Sequence, residues 1–101
     1  MKKSILETVH DTAKGLHEAG AMDMKTMREF DALCLRPVKE LSAKQIKQVR
    51  EKNKASQAVF AAYLNTNIST VQKWEQGQKK PNGPSLKLLN IVAEKGLEAL
   101  A

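Results

Sequence analysis

A single cysteine, Cys34, excludes an internal disulfide and a cysteine-rich zinc site. Five glycines and three prolines are too few for a collagen-like or low-complexity chain. No apolar run comes near the roughly 20 residues that a membrane-spanning helix requires. Met1-Lys2-Lys3 is basic, yet the pattern behind it is dotted with charge and lacks the apolar centre of a secretory signal. A length of 101 residues leaves room for one small domain and an arm, and makes a catalytic α/β fold with a deep cleft a tight fit. The constellations of catalysis are missing too: no Ser/His/Asp set, no glycine-rich phosphate loop, no paired carboxylates at a working spacing. His10 and His17 share a helical face but stand about two turns apart, too far to grip one ion. Both lie outside the basic part of the chain, where a nuclease would need them. Cys34 has no partner histidine and reads as a small buried residue. The expectation is a soluble, cytoplasmic protein that binds rather than catalyses, with no metal and no cofactor.

What is present is charge, unevenly spread. Residues 1–41 hold seven basic and seven acidic side chains, whereas residues 42–101 hold ten basic and four acidic ones. The whole net charge of +6 therefore falls on the second part. A basic domain behind a neutral arm points to two jobs, one of them with a polyanion.

The periodicity predicts an all-α chain. Ser4 and Glu7 form a capping-box pair, and Ile5, Leu6, Val9, Ala13 and Leu16 recur on one helical face before Gly20 stops it. A Met-rich irregular stretch follows from Ala21 to Met27, and Phe30–Leu35 is read as a short extended strand with Phe30, Ala32 and Cys34 on one face, the end of a helix being the alternative for so short an apolar run, ahead of Pro37. From Ser42 the pattern sharpens. Ser42 caps a helix to about Asn53, with Ile46 and Val49 inward; Ser56 caps Gln57–Leu64, with Phe60, Ala61 and Leu64 inward. Asn65-Thr66-Asn67 is a turn, and Asn67 caps a helix from Ile68 to about Gln76, with Val71 and Trp74 inward and Gly77 at its end. Pro84 starts a fourth helix carrying Leu88, Leu89 and Val92, and residues 97–101 make a last turn.

Two short helices joined by a tight turn, Ser56 to Gln76, form a helix-turn-helix pattern. Its second helix offers Ser69, Gln72 and Lys73 on a face free of acidic charge, which suits base edges and phosphates in a major groove. The run Ser56-Gln57-Ala58-Val59-Phe60-Ala61, then Leu64, then Val71-Gln72-Lys73-Trp74-Glu75-Gln76-Gly77 and Pro81, closely resembles the Xre/Cro phage-repressor type of helix-turn-helix. That resemblance covers about residues 42–93. It implies a five-helix repressor-like domain binding operator DNA as a homodimer. It also implies a structural ion pair between Arg50 and Glu75, and a phosphate contact at Gln57. Ile68, Ser69 and Lys73 fall on its base-reading positions, with Gln72 beside them, and Lys79 and Lys80 on the backbone. Ile68 departs from the polar residues frequent at its position and would suit a thymine methyl group.

The segment Pro81–Leu89, followed by Glu94-Lys95-Gly96-Leu97-Glu98, resembles the HigA-like antitoxins of bacterial toxin–antitoxin operons, as does the front with Arg28–Cys34. This narrower resemblance implies repression of the protein's own operon and neutralisation of a RelE/HigB-type mRNA-cutting toxin. YiaG-like regulators share the C-terminal pattern, so a stand-alone Xre-family or phage-type repressor is the alternative. The expected division is an arm at 1–41 and a DNA-binding domain at 42–101. Two destinations are open for the arm's apolar face: its own domain or a second copy, and a groove on a toxin. The resemblance favours the toxin and marks Ile5, Leu6, Val9, Leu16 and Phe30 as its contacts.

Overall fold

The structure is a computed structural model in which residues 4–101 are described. All regular elements among them are helical. The chain divides into two compact units, one ending at Pro37 and one spanning Val38–Ala101.

The first unit is a helical hairpin. Helix α1 spans Ile5–Glu18 and starts with the reciprocal capping box of Ser4 and Glu7. It ends at Ala19, and Gly20 turns the chain at φ +78°, a left-handed angle that glycine adopts without strain. Helix α2 spans Met24–Leu33. Its cap is Asp23, whose carboxylate accepts from the Thr26 amide; hydrogen bonding from the Thr26 side chain, and then from that amide, holds the Asp23 carboxyl below its ordinary range. Across the hairpin, His10 Nε2 meets Asp31 Oδ1 at 2.6 Å and the Cys34 thiol donates to the Leu6 carbonyl at 3.3 Å. Ala13 and Met27 are its buried apolar side chains.

This hairpin corrects two expectations. The stretch Ala21–Met27 is not irregular throughout, and Phe30–Leu35 is not an extended segment: both contribute to α2. Met27, Phe30 and Cys34 follow at three and four residues, a helical spacing, and Asp23 supplies the start signal. A strand here would leave its backbone groups unpaired, since no other strand exists among the described residues to receive them. The extended linker is shorter than expected and begins only after the Cys34 cap.

The second unit packs four α-helices and a 3₁₀ turn: α3 (Ala43–Lys52), α4 (Gln57–Tyr63), α5 (Ile68–Glu75), α6 (Gly83–Lys95) and the turn Leu97–Leu100. Each α-helix starts on a small polar cap, respectively Ser42, Ser56, Asn67 and Asn82, whose side chain accepts the amide three residues on. Ile46, Phe60, Ala61, Leu64, Val71, Trp74, Leu89, Val92 and Leu97 converge in one core. Trp74 is 3% exposed, so it serves as core and not as a stacking surface. Two asparagines tie the ends together. Asn53 Oδ1 accepts from the Leu97 amide at 3.2 Å. The Asn90 side chain bonds the Lys39 amide and carbonyl, each at 2.9 Å, as a neighbouring strand would. That clasp fixes the chain on α6 before α3 begins.

Candidate nucleic-acid interface

The α4–α5 pair is a helix-turn-helix. The turn between them needs one left-handed residue, and Asn65 takes it at φ +53°, a conformation that asparagine tolerates better than most side chains. The Thr66 amide then bonds the Ala61 carbonyl at 2.9 Å, closing α4. Burial of Phe60 and Ala61 on one side and of Val71 and Trp74 on the other locks the two helices across each other.

The outer face of α5 is what remains. Ser69 and Lys73 are exposed, Gln72 is half-buried, and Ile68 stands in solvent at 45% exposure. Ser69 is already engaged: its hydroxyl donates to Asn67 Oδ1 at 2.8 Å. The same oxygen accepts from the Thr70 amide at 2.9 Å and from the Thr70 hydroxyl at 2.8 Å. At the far end of α5 the chain wraps tightly through Gly77 at φ +73°, with the Gln78 amide returning to the Lys73 carbonyl at 2.9 Å. This wrap leads directly into Lys79 and Lys80, both exposed.

Glu75 is the one acidic residue on α5, and it is withdrawn from the outer face. Arg50 Nε donates to Glu75 Oε2 at 2.8 Å and Nη2 to Oε1 at 2.9 Å, a two-bonded fork; Nη1 donates to the Ala55 carbonyl at 3.1 Å. The side chains are only 14% and 5% exposed. Burial pushes the Glu75 carboxyl up, but the Arg50 hydrogen bonds and charge, with a contribution from Gln57, outweigh it and hold the carboxyl below its ordinary range. The same bond raises the Arg50 guanidinium.

Gln57 is the residue whose position sequence reasoning described least well. It opens α4, as expected, but its side-chain amide points to Glu75 Oε1 at 3.4 Å, which commits one of its two protons to the ion pair. Its backbone amide, in the first turn of α4, is free of helical bonding by its position. Asn67 was legible only as a cap. That its carboxamide also gathers Ser69 and Thr70 follows from side-chain rotamers, which spacing does not reveal.

The arm residues belong to the first unit. Ile5, Leu6, Val9 and Leu16 are exposed on α1, Ile5 by 84%, and Phe30 is half-buried on α2. Val9, Ala13, Leu16, Met22 and Phe30 line a shallow apolar groove on the hairpin. No cluster among the described residues has the ligands for a metal ion. No helix among them is long and apolar enough to cross a membrane.

A buried core under a turn-linked helix pair, with an acid-free basic face outside, defines the class: a helix-turn-helix DNA-binding domain. The family model described as Helix-turn-helix matches residues 46–97. The chain is also similar to Antitoxin HigA-2 of Vibrio cholerae serotype O1, at 36% identity over 76 residues, 75% of this chain and 69% of the relative. The protein belongs to the Xre-type helix-turn-helix family, as a HigA-like antitoxin.

Proposed function

We propose that the protein is an autoregulating antitoxin whose two tasks are divided between its N-terminal arm and its DNA-binding domain. Residues 42–101 bind operator DNA as a homodimer and repress the operon that encodes the protein. Ile68, Ser69 and Lys73 meet base edges, Gln72 lies beside them, and Gln57, Lys79 and Lys80 hold phosphates. Residues 1–41 mask a RelE/HigB-type mRNA-cutting toxin through Ile5, Leu6, Val9, Leu16 and Phe30. The protein acts in the cytoplasm and by binding alone.

The observation that carries this division is the exposed apolar surface of α1. Its four large apolar side chains stay 41–84% exposed although the helix is well capped and packed on α2. Apolar surface of this kind forfeits about 25 cal/mol for each Å² left in water, and a contiguous patch marks a contact surface. It lies on a charge-balanced segment, which suits a protein partner, while the whole net charge of +6 lies beyond it, which suits DNA. The similarity to a relative named as an antitoxin supports a toxin as that partner.

The test is co-expression with the adjacent reading frame. A complex that survives purification and suppresses mRNA cleavage is the expected result. Operator binding with no co-purifying toxin would replace this reading with a stand-alone Xre-family regulator, of YiaG-like or phage type, whose arm serves dimerisation or sensing.

A further inference from the structure

Ile68 is out of place by every rule that governs the rest of its helix. It occupies the first position of α5, while Val71 and Trp74 on the same helix are 0% and 3% exposed. Nearly half of its surface meets solvent, and its neighbours on the outer face are Ser69, Gln72 and Lys73. A β-branched side chain is also stiff, with one preferred rotamer in a helix, so it presents a fixed apolar knob and not an adaptable arm.

Two hydroxyls beside this knob, those of Ser69 and Thr70, are already bonded to Asn67. Asn67 Oδ1 accepts three hydrogen bonds, and one of them takes the Ser69 hydroxyl proton. Glu75 is held inside by Arg50, so no carboxylate on α5 repels a polyanion from the knob. The face around Ile68 is therefore shaped and charged for DNA while its leading side chain can form no hydrogen bond. The edges of the base pairs offer a major-groove visitor one apolar group only, the C5 methyl of thymine.

We propose that Ile68 reads a thymine through that methyl group and so fixes one base pair in each operator half-site. The inference rests on the DNA-binding reading given above and adds to it the identity of one base and the chemistry by which it is chosen.

The experiment uses the full chain. The tightest-binding duplex is selected from a random library, and each of its thymines is then replaced singly by deoxyuridine, which removes the methyl and keeps every hydrogen-bonding group. The wild type is expected to lose about three- to fivefold in affinity at one thymine of each half-site, the value of one methyl group buried. Ile68→Ala is expected to bind the unmodified duplex more weakly by a similar factor and to treat thymine and deoxyuridine alike at that position. Ile68→Val, which keeps a branched apolar tip, retains the discrimination in part. A uridine scan that is flat while the wild type still prefers its selected sequence overturns the inference alone. So does an Ile68→Ala protein that still favours thymine over deoxyuridine there. Failure to select any sequence overturns both this inference and the DNA-binding reading.

Discussion

Arg50 holds Glu75 in a two-bonded fork, at 2.8 and 2.9 Å, across a sequence separation of 25 residues. The fork does two things at once. It ties α3 to the end of α5, and it removes from α5 the only negative charge that could oppose a phosphate backbone.

Breaking the fork by Arg50→Ala leaves a nearly buried carboxylate without its cation. The expected loss of folding stability is about 3 kcal/mol or more, with a smaller loss when Glu75→Ala is added and no lone charge remains. A double-mutant cycle in urea checks this, and near-zero coupling would remove the fork from the account of stability.

The same pair gives a pH dependence. The folded Glu75 carboxyl lies below its ordinary value of 4.5, so the unfolded chain binds this proton more readily than the folded one. The stabilisation is complete above pH 4.5 and is lost as the pH falls through the lower folded value. The stability difference between the wild type and Glu75→Gln should therefore hold constant at neutral pH and shrink in acid. A difference that grew on acidification would reverse the assignment.

The lysines should separate by role. Lys79→Ala is expected to weaken binding to all duplexes alike and to flatten the salt dependence by about one counterion. Lys73→Ala should instead relax the preference at one base pair, by about 1–3 kcal/mol. Titrations against selected and random duplexes at several salt concentrations distinguish the two; equal losses on both duplexes for Lys73→Ala would move base reading off that residue.

The division of tasks predicts the behaviour of a chain beginning at Val38. It retains the Asn90 clasp on Lys39 and the whole core of the second unit, so it should fold as a helical domain and keep operator preference. It should no longer silence the toxin. In the full chain, Leu6→Asp and Val9→Asp fall on side chains that are 53% and 41% exposed, so the hairpin should survive them while toxin affinity falls. Helical content by circular dichroism, together with operator and toxin titrations, reads each arm. Loss of operator binding with neutralisation intact would exchange the roles of the two units.

Lys54 stands at φ +54°, a left-handed conformation that a lysine side chain resists. Lys54→Gly should stabilise the protein by up to about 1 kcal/mol through relief of that strain, and thermal melting measures it. An unchanged or lower melting temperature would show that the strain is compensated elsewhere.

Local chemistry is what the sequence determined by itself. Each of the caps Ser4, Ser42, Ser56 and Asn67 was legible because a short polar side chain must satisfy amides that a helix start leaves open. The inward set Phe60, Ala61, Leu64, Val71 and Trp74 was legible because burial follows the helical period. The charge divide needed only counting. Tertiary structure decided the rest. It turned Phe30–Leu33 into helix, because an isolated strand has no partner for its backbone while α1 offers a surface to pack on. It spent the Gln57 amide on Glu75, pinned Lys39 to Asn90 across 51 residues, and gave the Ser69 proton to Asn67. Those three choices depend on which side chains meet once the helices cross, and periodicity specifies a face of a helix without specifying what that face will touch.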